Sequence, residues 1–311
     1  MGAAMGDERD LSAASAASQA VPYRLAAEFR EPPAQFEGCF TTFYHLSLDI
    51  HHPGARLEDH LQPEWANIRF FCGGGPEAAI GNTRVSGARF VGTGPSSLPC
   101  RFNLGQVRMW GVGFLPLGWA RFFDADASQC ANIICDGTAH PAFVRFAGLT
   151  DVLCQPEATL DEQYDAIVTA MAQAMRPTRD DARIRRINAE LVNGEHASVH
   201  DLADACAMSV RTLERMCRRY FGFSPKLLMR RQRFMRSLTS FMLQRGSRWT
   251  EAMDAHYHDQ AQFTREFREF MTMNPSEYAA LEHPILMSFM EARARIWGSA
   301  AQTLDPPAEH A

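Results

Sequence analysis

Ser209–Pro225 reads SVRTLERMCRRYFGFSP, and Asp259–Pro275, fifty residues further on, reads DQAQFTREFREFMTMNP. At that constant offset Leu213 falls on Phe263, Arg215 on Arg265, Cys217 on Phe267, Arg218 on Arg268, Tyr220 on Phe270 and Pro225 on Pro275. Self-similarity of this kind marks one supersecondary unit used twice. Between Arg211 and Arg236 nine basic residues stand against a single acid, Glu214. A duplicated helical unit beside a basic run is the footprint expected of a chain that reads DNA.

The helix boundaries are signposted. Ser198-Val199-His200-Asp201 has the form of a capping box, and Asp259 with Gln262 and Asn274 with Glu277 repeat it. Ser224-Pro225 and Asn274-Pro275 place a capping residue before a proline at the first helical position, where a missing N–H costs nothing. Helices over Asp201–Cys206 and Val210–Phe221, joined by Ala207-Met208-Ser209, have helix-turn-helix spacing. On the second of them Val210, Leu213, Cys217 and Tyr220 form the apolar stripe, with Arg211, Glu214, Arg215 and Arg218 opposite. Arginine can fork onto guanine O6 and N7, and glutamate can accept from cytosine N4. An ordinary helix with a solvated arginine face is the bland reading, and the repeat and the caps weigh against it.

With 311 residues there is room for two domains, and 46% hydrophobic with 22% charged residues describes a soluble globular chain. The net charge of −5 is unevenly spread. Residues 181–282 hold 16 Arg and Lys against 13 Asp and Glu, the remainder 15 against 23. One region is therefore expected to meet a polyanion and the other not. The eight cysteines show no CxxC pair, which argues against a zinc module. Residues 1–20 lack the apolar core of a secretory signal and read as a disordered tail, so the thiols are expected reduced and the chain cytoplasmic. No run of eighteen apolar residues spans a membrane. No catalytic residue, cofactor or metal is assigned.

Residues 21–155 read as β-rich, with short strands such as Ile68–Phe71 and Val107–Phe114 and turns at Gly73–Pro76 and Gly92–Pro95, which favours a small barrel or sandwich. Residues 156–180 read as a helix and linker. Ile167, Ala170, Met171 and Ala174 share one face of that helix, open to packing on its own domain or to dimerisation. Residues 181–283 form the helical DNA-binding region, and 284–311 a C-terminal helix and tail.

Leu202-Ala203, Met208-Ser209, Leu213, Arg215 and Gly222-Phe223-Ser224-Pro225 resemble the tandem helix-turn-helix domain of the AraC/XylS transcriptional regulators, over about 182–280. The resemblance implies an α+β chain: a β-barrel or cupin-like sensor domain followed by an all-α DNA-binding domain. It places Arg211, Glu214 and Arg215 on the base-reading face of the first recognition helix, and Gln260, Gln262 and Arg265 on that of the second. Arg218, Arg219 and Arg268 would add phosphate or neighbouring DNA contacts. A helix from Pro225 to about Leu243 would run about 28 Å, close to the roughly 34 Å between successive major-groove faces, so a bipartite operator over consecutive grooves is expected. Arg230, Arg231, Arg233 and Arg236 on that helix are open to phosphate contact or to pairing with acids between the subdomains.

The second unit departs from the family pattern. Glu251 stands where an aliphatic core residue is expected, His256 where the turn has glycine, and Thr272 where the unit closes on glycine. Base reading is therefore expected chiefly from the first unit. His45, His51, His52 and His60 lack the HxH-plus-carboxylate arrangement of a metal cupin. Trp65, Arg69, Arg101, Arg108 and Trp110 are candidates for an effector pocket or for simple packing. The partners implied are double-stranded DNA, a small-molecule effector of unknown identity and a second copy of the chain as a homodimer, with RNA polymerase a further candidate. One rival is a β-barrel enzyme or DNA-repair protein fused to a helix-turn-helix domain, which would need a reactive cysteine or a metal cluster. A second is an architectural protein with no effector.

Overall fold

Val107–Phe114 is buried at every residue except Arg108, the pattern of a strand at the centre of a sheet covered on both faces. In the computed structural model, which describes residues 23–244 and 249–305, the expected N-terminal tail and the last six residues lie outside the described residues. The strands are β1 (Tyr23–Arg30), β2 (Phe40–Ile50), β3 (Leu57–Leu61), β4 (Ala66–Gly73), β5 (Glu77–Ile80), β6 (Thr83–Ser86), β7 (Phe90–Thr93), β8 (Cys100–Leu104), β9 (Val107–Phe114) and β10 (Ile134–Asp136). One sheet has the order β1-β2-β9-β4-β7-β10 and the second β3-β8-β5-β6. The β-rich half is thus two sheets facing each other, and they do not close into a barrel.

Leu46, Phe71 and Met109 of the larger sheet meet Ile80, Phe102 and Leu104 of the smaller in one apolar layer. The outer face of the larger sheet carries Phe43, Phe70, Trp110 and Val112, covered by helices α1 (Pro116–Phe122), α2 (Leu149–Leu153) and α3 (Leu160–Ala174). Tyr44 pairs in register with Gly111, and its ring occupies the space a Cβ there would need. Gly92 corrects one expected turn: it lies inside β7, where the Phe143 ring packs onto its backbone 2.5 Å from where a Cβ would stand. Ring packing, not turn geometry, explains that glycine.

The α3 helix begins at a capping box between Thr159 and Glu162 and buries Ile167, Met171 and Ala174 within its own chain. Gln163 joins that face because Trp110 Nε1 donates to its Oε1 at 2.6 Å. A second correction concerns the thiols. Cys72 and Cys154 form a disulfide that ties β4 to the residue after α2 across 82 positions, so not every cysteine is reduced.

The helical half comprises α4 (Asp181–Asn193), α5 (Val199–Ala205), α6 (Val210–Met216), α7 (Pro225–Leu243), α8 (Trp249–Ala252), α9 (Gln260–Met271), α10 (Pro275–Ala279) and α11 (Pro284–Trp297). Its apolar core does not stop at the β-rich half. Phe36, Trp65 and Trp119 belong to the same continuous cluster as Ile187, Leu213, Phe221 and Leu228. A separate cluster joins α7, α9 and α11 through Phe234, Phe267 and Met290. The α11 helix is capped from the far end of the chain: Asp59 of β3 accepts from the N–H groups of Ile285 and Leu286 at 2.8 Å each, and its other oxygen faces His283 Nδ1 at 3.2 Å. Asp59 supplies the acceptor that those N-terminal amides lack within the helix.

Candidate nucleic-acid interface

The fifty-residue offset survives in three dimensions. Leu213 and Phe263, Cys217 and Phe267, and Tyr220 and Phe270 are all buried, whereas Arg215, Arg265, Arg218 and Arg268 are all exposed. Pro225 and Pro275 each open a helix. Each turn into a recognition helix is capped by a side chain: Ser209 accepts from Thr212 N at 3.3 Å, and Asp259 from Gln262 N at 2.6 Å. Such caps are worth about 1 kcal/mol each.

In the first unit α5 and α6 meet at Ala207, which takes the left-handed conformation with φ 54°. Buried Leu213 and Met216 seat α6 on the core and turn its opposite side outward. Arg211, Glu214, Arg215, Arg218 and Arg219 are all exposed. Among the described residues, the side chains of Arg211, Glu214, Arg215 and Arg218 enter no ion pair or hydrogen bond. Past Met216 the helix widens into a π-helical turn, Cys217–Phe221, and closes at Gly222 with φ 86°. Arg219 lies over the Tyr220 ring at 5.2 Å. Arg215, Arg218 and Arg219 line one side of a groove of about 1070 Å3, with Arg176, Arg179 and Arg183 also lining it. Asp124, Asp126 and Asp180 share that groove, and Tyr220 Oη donates to Asp180 at 2.8 Å.

The second unit is built differently. On its first helix, α8, Glu251 lies exposed rather than in the core. No residue from 253 to 258 has a positive φ, so His256 does not copy the turn at Ala207. Instead Asp254 holds this turn, accepting from His256 N at 2.9 Å and from Arg236 Nε at 2.5 Å. Its own N–H donates to Ser237 Oγ at 2.8 Å. Burial alone would raise the Asp254 pKa, but those donors outweigh it and hold the carboxyl below its usual range. Thr272 closes α9 in the left-handed conformation with φ 58°, the position of Gly222 in the first unit.

The second unit also exposes fewer unoccupied polar groups. Gln260 and Arg265 are exposed. Gln262 is half-buried and accepts from His258 N at 3.2 Å, and Arg268 Nε donates to Asn274 Oδ1. The structure therefore brings the five first-unit residues to one exposed side, but it occupies two of the four expected in the second.

Three of the arginines on α7 pair with acids. Arg230 and Arg233 both donate to Glu266 Oε1, at 2.9 and 2.6 Å, and Arg230 also pairs with Glu269. Arg236 pairs with Asp254, while Arg231 is wholly buried against the β-rich half. Arg230, Arg233 and Arg236 thus tie α7 to the second unit, and Arg231 ties it to the β-rich half. Asp254 and Glu266 carry these couplings, Asp59 caps α11, and none of the three is singled out by sequence. Only the fifty-residue offset, which aligns buried Met216 with Glu266, could have flagged one of them.

Of the effector-pocket candidates only Arg69 lines a cavity between the sheets. Trp65 packs on Arg231, Trp110 bonds Gln163, Arg101 pairs with Glu58 at the surface, and Arg108 is exposed.

The family profile described as a helix-turn-helix domain matches residues 202–280. No curated protein matches the chain. Among solved structures it is similar to ToxT from Vibrio cholerae at 10% identity, covering 82% of this chain and 97% of that one with a TM-score of 0.42. It is also similar to unsaturated fatty acid-bound ToxT from the same organism at 12% identity, covering 73% and 96% with a TM-score of 0.38. The AraC-like transcriptional activator CuxR shares 12% identity over 68% of this chain and 85% of that one, with a TM-score of 0.22. Residues 202–280 are an AraC-type helix-turn-helix domain.

Proposed function

We propose that this AraC-type chain binds a bipartite operator, reading bases with Arg211, Glu214 and Arg215 of α6 and anchoring on phosphate through Arg218 and Arg219. The observation that carries this reading is the contrast between two sets of arginines. The α7 arginines are paired or buried, whereas Arg211 and Arg215 of α6 and Arg218 just beyond it are exposed and, among the described residues, without a partner. A cluster of exposed, unpaired arginines concentrates positive potential that suits a polyanion. In the second unit Gln260 and Arg265 read bases, and Gln262 and Arg268, held by their own neighbours, contribute mainly to backbone contact. The 19 residues of α7 span about 28 Å, which suits units set on consecutive turns of one face of the duplex.

The operational division is a sensor region over 21–155, a helix and linker over 156–180 that supports a homodimer, a reader over 181–283, and a C-terminal segment from 284. A small molecule bound in the sensor region shifts operator affinity, for which about 1–3 kcal/mol of coupling suffices. RNA polymerase is the further partner through which the bound regulator acts. The chain works in the cytoplasm and has no catalytic role. The rival enzyme needs a reactive thiol, and burial pushes Cys39, Cys130 and Cys206 up to about 11 and Cys100 and Cys135 up to about 12. Thiols so raised are poor nucleophiles.

Selection of bound DNA from a random pool by the full chain tests the reading. Two conserved blocks about one helical turn apart support it. A single block, or no enrichment, contradicts it.

A further inference from the structure

Between the two sheets lies a cavity of about 70 Å3 that the DNA-reading elements do not use. Most of its wall is strand, with Phe71 and Met109 on one side and Ala78 and Phe102 on the other. The C-terminal segment lines the remaining side, through Ile285 and Phe289 of α11 and Gln302 beyond it. One end is polar. Arg69 donates Nε to Tyr44 Oη at 2.8 Å, Nη2 to Glu64 at 2.6 Å and Nη1 to Thr93 Oγ1 at 3.4 Å. A guanidinium has five N–H donors, so Arg69 retains capacity for a further acceptor, as does the Tyr44 hydroxyl proton. Glu64 cancels the Arg69 charge.

We propose that this cavity binds a compact, uncharged, largely apolar molecule bearing one hydrogen-bond acceptor, and that its occupant displaces the α11 roof. The neutral Arg69–Glu64 pair sets the charge. A carboxylate entering this largely apolar space would meet Glu64 and a cation would meet Arg69, each at a desolvation cost larger than a neutral acceptor's. The volume sets the motion. About 70 Å3 falls well short of the roughly 150 Å3 that admits a benzene ring, so one wall must give. Most of the lining strands are locked by ladders on both sides, whereas α11 is held here by the two amide bonds to Asp59 and by the Phe289 ring against Phe29 and Tyr44. On its other side α11 packs Leu286 and Met290 into the cluster that contains Phe267 of the second recognition helix. Lifting the roof therefore loosens the seat of that helix. This consequence at DNA rests on the effector control proposed above, whereas the site itself does not.

The test titrates phenol, with benzoate as the charged comparator, into the full chain by calorimetry and follows hydrogen exchange at the Ile285 and Leu286 amides. Phenol is expected to saturate one site, benzoate to bind roughly tenfold more weakly, and the two amides to exchange roughly tenfold faster with phenol bound. Phe289→Trp fills the space from the roof and abolishes phenol binding, while Phe289→Ala enlarges it and tightens binding. Phenol binding that Phe289→Trp leaves intact, or amide rates that phenol does not change, overturns the proposal. If phenol meets every expectation and operator affinity stays constant, effector control fails and the site stands. If another small molecule shifts operator affinity equally in the wild type and in Phe289→Trp, effector control stands and this site falls.

Discussion

The Arg231 guanidinium lies 3.9 Å from the centroid of the Trp65 ring, so the helix connecting the two helix-turn-helix units is seated on the β-rich half by a buried cation. Arg231 is 0% exposed, and Nη1 donates to Ser96 O at 2.9 Å. Its Nε and Nη2 find no acceptor among the described residues. Burial pushes its pKa down to about 9. The contact with the ring returns about 2 kcal/mol when desolvated, less than the several kcal/mol an unpaired buried charge costs.

Two substitutions at this contact should therefore move stability in opposite senses. Arg231→Met keeps the packing and removes the charge, and is expected to leave the chemical unfolding midpoint unchanged or raise it. Trp65→Ala opens a cavity and strands the cation, at about 3–5 kcal/mol. A large loss in Arg231→Met would show that the cation is net stabilising.

Arg211→Ala and Arg215→Ala should each weaken operator binding by about 1–3 kcal/mol, with little effect on random-sequence DNA. Unfolding should shift by no more than about 0.5 kcal/mol, because both side chains are exposed. Arg218→Ala should weaken binding to both DNAs alike and reduce the slope of affinity against salt by about one unit. Equal losses of Arg215→Ala on operator and random DNA would remove it from base reading.

Thr272 and Gly222 occupy the same left-handed position in the two units, and only one of them suits it. A branched side chain there costs about 1–2 kcal/mol, so Thr272→Gly should stabilise the protein by about 1 kcal/mol. Gly222→Ala should destabilise it by more than that, because a Cβ would also stand 2.5 Å from Pro95 Cγ. Thermal unfolding of the two variants decides the matter.

Asp254 makes the second unit acid-sensitive. Its folded pKa lies below the ordinary aspartate value of 3.8, so the stabilisation it contributes is present above that pH and is lost as pH falls through the folded value. Amides of residues 253–258 should lose exchange protection as pH falls below about 4, ahead of those in α5. Asp254→Ala should open the same segment at neutral pH, at about 3 kcal/mol, because it unpairs Arg236. Protection lost at the same pH in both units would count against this role for Asp254.

The helical half is legible in the sequence because its signals are local. Ser198, Ser209, Ser224 and Asp259 stand within three residues of the amides they cap, and the apolar stripe recurs within single helices. Glu251, His256 and Thr272 were legible as departures for the same reason. What escapes such reading joins residues far apart in the chain: Asp59 with Ile285, Arg231 with Trp65, Cys72 with Cys154. A buried aspartate on a strand carries no mark of the helix it will cap more than two hundred positions later. Gly92 misleads in the other direction, since a glycine needed under a neighbouring ring looks the same in sequence as one needed for a turn.

Phe221 stands edge-on to Trp65, with ring centroids 5.7 Å apart, inside a core shared by both halves of the molecule. The reader is thus not a detachable cartridge. Severed near residue 180 it would present Cys217, Phe221 and Phe223 to water as a raw adhesive face, and a foreign sensor grafted in its place would have to supply a matching socket.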